Sequence, residues 1–270
     1  MAERLPVRQA RAFNCHGMTN EQNPPPTAAV LLIGDEILSG RTQDANLAYI
    51  AKFLAVCGID LCEARVVRDV ESEIAAAINA LRERFTYVIT TGGIGPTHDD
   101  ITADSVGRAF GVTVDYDPEA LALLAPRYKP GEFNEMRRRM ARVPEGAVLI
   151  RNSASITPGF QIANVFVLAG VPMIMRAMLE DVGPRLAKGR VVVSRTISAP
   201  VGEGRIAARL AQIQREHPAV AIGSYPFFAD AGPGTQLVVR GRDGEAVEDA
   251  AAEIEAMLRG EGVTSSRVEM

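Results

Sequence analysis

The hydrophobic pattern divides the chain into short apolar runs that alternate with amphipathic stretches. Residues 28–33 form a continuous apolar run, as in a strand buried on both faces. Leu47, Ile50, Ala51 and Leu54 then recur at i, i+3, i+4 and i+7, one face of a helix, and Gly58 suits the position just past its end. Residues 59–67 predict a second strand, Ile74, Ile78 and Leu81 a second helix, and residues 87–91 a third strand. Thr102 fits the start of the next helix and Gly111 its stop. Residues 117–142 predict a helical, Arg-rich stretch holding Arg137, Arg138 and Arg139. Residues 147–150 and 165–169 are further strands, and Gly170-Val171-Pro172 opens a Met-rich helix to about residue 186. Strands alternating with helices predict a three-layer α/β/α domain with a mostly parallel sheet.

The pattern changes near Ala187-Lys188-Gly189. Beyond it come a strand at 190–197, a helix at about 204–216, strands at 219–225 and 236–241, and a helix at 246–258. A Pro/Gly-rich loop, 226–234, joins the last two strands. The expected organisation is therefore a disordered tail over residues 1–27, an α/β domain over 28–187, a small α+β domain over 188–260 and a loose tail over 261–270. Met18 is a second candidate for the true start.

Composition narrows the function. The hydrophobic fraction of 47% fills a sizeable core, and a net charge of −4 offers no broad basic field for a nucleic-acid backbone. No apolar run approaches the ~20 residues that span a bilayer. Cys15, Cys57 and Cys62 are odd in number and lack CxxC spacing, which fits a reduced cytoplasm.

Three features carry chemistry. The segment Gly92-Gly93-Ile94-Gly95-Pro96-Thr97 follows the third strand, and such a loop lets backbone N–H groups approach an anion. Asp99-Asp100 follows it, and a carboxylate beside a phosphate requires a cation between them. Gly34-Asp35-Glu36 ends the first strand, so Asp35 and Asp100 converge if the first and third strands are neighbours. Alone, each also fits a tight turn, a capping aspartate or a solvated acid; together they favour a site. His98, inside the loop, reads as a hydrogen-bonding or solvent-facing residue.

Gly34-Asp35-Glu36-Ile37-Leu38-Ser39-Gly40, Asn46, residues 90–102, Asn134, Pro144-Glu145-Gly146-Ala147, Pro158-Gly159-Phe160 and Gly170-Val171-Pro172 occur in an order that resembles the molybdopterin-binding domain superfamily, above all the N-terminal region of the competence/damage-inducible (CinA) family. The resemblance covers about residues 28–186. Residues 190–260 resemble the KH-like small domain that follows in that family, but Gly202-Glu203-Gly204-Arg205 stands where an RNA-clamping GxxG loop would. The nicotinamide mononucleotide deamidase domain of full-length relatives has no counterpart here, and no such activity is expected.

The resemblance implies a pterin- or nucleotide-binding cleft served by Mg²⁺ or another divalent cation. Gly92, Gly93 and Gly95 would cradle phosphate; Asp100 and Asp35 would hold metal and water; Thr97 would add a hydroxyl, and Asn46 and Asn134 would read the base, ribose or a second phosphate. The expected activity is metal-dependent nucleotide pyrophosphatase cleavage of an ADP-ribose- or FAD-type phosphoanhydride. The alternatives are molybdopterin binding or adenylylation, and a non-enzymatic nucleotide-binding accessory. The expected partner is a small nucleotide or pterin, with no nucleic acid or membrane, in a cytoplasmic homo-oligomer.

Overall fold

The computed structural model describes residues 24–229 and 232–268. Most of the tail expected over 1–27, with Met18 and Cys15, lies outside the described residues. The chain forms two compact units, one ending at Gly189 and one beginning at Arg190.

The first unit begins with β1 (Thr27–Ile33), the short α1 (Asp35–Leu38), α2 (Asn46–Val56), β2 (Asp60–Val67), α3 (Glu71–Arg82), β3 (Tyr87–Thr91) and α4 (Thr102–Phe110). It continues through β4 (Val114–Tyr116), α5 (Pro118–Leu124), α6 (Glu135–Arg138), β5 (Arg142–Pro144), β6 (Val148–Ile150), β7 (Gly159–Ile162), β8 (Val165–Leu168) and α7 (Pro172–Val182). The main sheet runs β2-β1-β3-β8-β7-β6. β1 pairs in parallel with β2 and β3, and β3 with β8, while β7 and β6 close the sheet antiparallel.

Strand alternation assigns the two faces. Ala29, Leu31 and Ile33 of β1 pack with Ile74, Ile78 and Leu81 of α3, Val106 of α4 and Leu124 of α5. Ala28, Val30 and Leu32 pack with Ile50 and Leu54 of α2 and Met175, Met178 and Leu179 of α7. The result is the expected three layers, with the helices burying both faces of β1.

The helical expectation for residues 117–142 requires correction. Only α5 and the four-residue α6 are α-helical there. Pro126, Pro130 and Gly131 lie between them, where proline removes backbone donors and clashes with a preceding turn. Strands β4, β5 and β7, three or four residues each, were too short to register as periodic runs.

The second unit comprises β9 (Val193–Ala199), α8 (Glu203–Glu216), β10 (Ala221–Ala229), β11 (Gly232–Gly241), α9 (Gly244–Gly260) and β12 (Ser266–Val268). Its antiparallel sheet runs β10-β11-β9-β12, and Ile197, Leu237 and Val239 pack with Ile206, Ile213, Ile254 and Leu258 of its helices. The expected tail over 261–270 thus supplies an edge strand, held by Arg267 on Glu248 and Glu255 of α9. Gly202 caps α8, and Arg205 is spent on Glu261. Among the described residues no helix is long and apolar enough to cross a membrane.

Phe166 of β8 is 1% exposed. Phe166→Ala is expected to cost about 3–5 kcal/mol through lost burial and a residual cavity, read as an earlier urea midpoint for the first unit. Val56→Ala, at a side chain 76% exposed, should leave that midpoint nearly unchanged.

Candidate functional site

In an open α/β sheet, ligands gather beyond the carboxyl ends of the strands, where the strand order reverses. β1 feeds β2 on one side and has β3 on the other, so such a point lies between β1 and β3. A cavity of about 580 Å³ opens there, within the range of small-molecule sites. Ile33 and Gly34 line it from β1, Gly92 to Pro96 from the loop after β3, Ala169 and Gly170 from the end of β8, and Asp69 from beyond β2.

Two of the loop's glycines are required by space and conformation. Gly92 has φ +107°, and a Cβ on it would lie 2.2 Å from the Ile33 carbonyl oxygen. Gly93 has φ +67°, and a Cβ there would lie 2.2 Å from Oγ1 of Thr102. The Thr102 hydroxyl donates to the Gly92 carbonyl (2.9 Å), and the Thr102 amide to the Gly93 carbonyl (3.0 Å), fixing the loop to the start of α4.

Asp100 shapes the other half of the loop. Its Oδ1 accepts from the Gly95 amide (2.6 Å), and its Oδ2 from the Thr97 amide (2.8 Å) and the Thr97 hydroxyl. The expected phosphate cradle of Gly92, Gly93 and Gly95 is therefore redistributed. The Gly92 amide donates to the Leu168 carbonyl (3.2 Å) and the Gly95 amide to Asp100, so both are spent within the protein. The Gly93 and Ile94 amides donate to no group among the described residues, and both residues line the cavity.

The walls differ in polarity. Glu36, Asp69, Asp99 and Asp100 make an acidic side, with Arg41 the one cationic side chain among the lining residues. Ile94, Met140, Val171 and Ile174 make an apolar side. Burial, together with the nearby charges of Glu36, Asp35 and Asp99, raises the Asp69 carboxyl above its usual range, against a lowering bond from the Asp35 amide (2.9 Å).

The other expected site residues lie outside the lining. Asp35 turns its carboxylate to Arg68 (3.1 Å), and its neighbour Glu36 faces the cavity instead, folded over Gly34. Thr97 is exposed and bound to Asp100. Asn134 caps α6, accepting from the Arg137 amide (3.1 Å). Asn46 is 5% exposed, and its Nδ2 donates to the carbonyl of the lining residue Gly170 (2.8 Å). His98 is exposed at the loop tip. Sequence reasoning missed Asp69, Arg41 and the Ile94 amide. An acid just past the second strand was the available signal for Asp69, since strand ends are where ligands collect.

Among the described residues no three His, Cys, Asp or Glu side chains converge as a metal cage. The acidic wall nevertheless offers hard oxygen donors of the kind Mg²⁺ takes one or two at a time, with waters and phosphate oxygens completing its shell.

Comparison with known proteins identifies the family. Residues 29–188 match the family described as "Probable molybdopterin binding domain", and residues 191–267 the one described as "FAD synthase, middle domain". A protein of Archaeoglobus fulgidus is 33% identical over 230 residues, 85% of this chain and 96% of its own length. A CinA-like protein of Gemmatimonas aurantiaca is 35% identical over 201 residues, but the match spans 47% of its length, so this chain resembles about half of it. The crystal structure of CinA from Thermoplasma acidophilum, a protein titled as of unknown function, matches with TM-score 0.57 and 32% identity, covering 60% of this chain and 98% of that one. With a family match over more than half its length and a solved CinA relative 32% identical and covered to 98% of its length, the chain belongs to the CinA-like group of the molybdopterin-binding domain family.

Proposed function

We propose that the cavity binds a nucleotide through its phosphates and, with a divalent cation, hydrolyses a phosphoanhydride bond. The observation that carries this reading is the pairing of two unspent amides, Gly93 and Ile94, with a wall of four carboxylates in one cavity. Amides attract an anion, whereas carboxylates repel it unless a cation intervenes. Glu36 and Asp99 would hold that cation together with waters and phosphate oxygens, and the cation when bound would neutralise charge on the phosphoryl oxygens.

The protein's own groups divide the remaining work. The Gly93 and Ile94 amides hold a phosphoryl oxygen and stabilise charge that develops there. The apolar side formed by Ile94, Val171 and Ile174 takes the ring of the nucleoside. Water attacks one phosphorus, the anhydride P–O bond breaks, and the water's proton passes to Asp69, which lines the cavity. The family match over residues 29–188 supports a second reading, in which the same cavity binds or adenylylates a pterin phosphate.

Turnover of ADP-ribose, FAD, NAD and ATP, with and without Mg²⁺, tests the first reading. Cleavage of one compound that needs the metal and falls at least about a hundredfold in Asp69→Asn is expected. No turnover of any of the four would remove the hydrolase reading and favour the pterin.

Asp69 also carries a pH signature. Its pKa in the fold lies above the ordinary 3.8, so ionising it in the folded state costs stability. The cost is absent below the unfolded pKa, grows between the unfolded and the folded pKa, and is complete above the folded one. Asp69→Asn removes the charge and keeps an acceptor for the Asp35 amide. Its thermal midpoint should therefore exceed wild type at pH 7, and the gain should shrink to nothing near pH 3, as followed by calorimetry without metal.

A further inference from the structure

The connection between α1 and α2 carries the cavity's arginine, and local hydrogen bonds fix where it sits. α1 ends at Leu38, where the Ser39 amide donates to the Asp35 carbonyl (2.9 Å) and the Gly40 amide to the Ile37 carbonyl (3.1 Å). Gly40 then takes φ +73°, the left-handed conformation in which glycine reverses a chain past a helix end. The Thr42 amide donates back to the Glu36 carbonyl (3.0 Å), and the Asp44 carboxylate accepts from the Asn46 and Leu47 amides at the start of α2 (3.2 and 2.9 Å). Arg41 stands between the tied residues Gly40 and Thr42, so its backbone is held on both sides, and it lines the cavity.

Arg41 shares that lining with Glu36, Asp69, Asp99 and Asp100, yet among the described residues it forms no ion pair and no side-chain hydrogen bond. Three of these acids have other engagements. Asp100 receives the Gly95 and Thr97 amides, Asp69 receives the Asp35 amide, and the Glu36 carboxylate lies folded over Gly34. The nearby Arg68 is taken by Asp35. A guanidinium cannot shed its charge, and it offers five N–H donors in a planar fork that matches phosphate oxygens. A fixed cation left unpaired in a cleft is free for an anion that arrives with the ligand.

We propose that Arg41 binds a second phosphate of the ligand and thereby makes the cavity select a nucleoside diphosphate over a monophosphate. This rests on reading the cavity as a phosphate site. The two anion-binding elements come from different connections: the Gly93 and Ile94 amides follow β3, whereas Arg41 follows β1 and α1. One phosphoryl group meets the amides and the cation held by Glu36 and Asp99. The other accepts charge-assisted bonds from Arg41, which a ligand with a single phosphate at the amides does not make.

Calorimetric titration of the full chain in Mg²⁺, with AMP and with the methylene analogue of ADP, whose P–C–P bridge water does not cleave, tests the proposal. Wild type is expected to bind the analogue more tightly than AMP. Arg41→Ala should weaken the analogue about tenfold or more and leave AMP nearly unchanged. Arg41→Lys keeps the charge without the fork and should recover part of the loss. Arg41 is exposed, so neither variant disturbs the core. Lys52→Ala removes an equal charge from an exposed position of α2 outside the lining, and should bind both ligands as wild type does. Equal weakening of AMP and the analogue in Arg41→Ala overturns the proposal, because a general field or a structural role acts on both. Wild-type affinity for the analogue in Arg41→Ala overturns it too, while leaving the phosphate site standing. Failure of wild type to bind either ligand removes the site itself, and this role for Arg41 with it.

Discussion

Both oxygens of the Asp100 carboxylate accept hydrogen bonds from Asp100's own loop, and the loop keeps its shape through them. A short carboxylate that receives two amides and a hydroxyl fixes about one turn of irregular chain without secondary structure. The rest of the cavity follows from that arrangement. With Gly95 and Thr97 tied down at one end, and Thr102 gripping Gly92 and Gly93 at the other, the Gly93 and Ile94 amides are left without a partner among the described residues. Asp100 therefore acts first as the residue that builds the site, and any contact it makes with a ligand comes after that.

The acidic wall has the opposite character. Burial first, and then the charges of Glu36, Asp35 and Asp99, hold the Asp69 carboxyl above its usual range, at a cost to the folded protein. A fold retains like charges in a cleft when something bound there relieves them, and groups perturbed in this way cluster at functional sites. The amides and the carboxylates thus make complementary demands: the first attract an anion, the second a cation, and the proposed metal-bound phosphate would satisfy both. The apolar lining residues Ile94, Val171 and Ile174 would extend this to a ligand that carries a ring.

Much of the scaffold could be read from the chain. The continuous apolar runs of β1 and β3 and the helical spacing of Leu47, Ile50 and Leu54 gave the central strands and α2, because each is a local pattern with a local cause. Strand β7 escaped because Gly159-Phe160-Gln161-Ile162 is too short to display a period, and β12 because Arg267 reads as tail until α9 is there to pair with it. The glycine loop was legible as a run of residues. Which of its amides remain free was not, since that depends on Leu168 and Asp100 accepting from Gly92 and Gly95. Asp35 and Glu36 are adjacent acids, and only the onset of α1 decides that Glu36 faces the cavity and Asp35 faces Arg68. Asn134 proved to be a helix cap, a role that any Asn before an apolar turn can take.

The most direct measurement is the amide spectrum of the ¹⁵N-labelled protein as ADP and Mg²⁺ are added together. The Gly93 and Ile94 resonances should shift and saturate together at one affinity, while Gly111, at the far end of α4, stays in place. Saturating shifts confined to other residues, with Gly93 and Ile94 unmoved, would contradict the assignment of these two amides as the anion site.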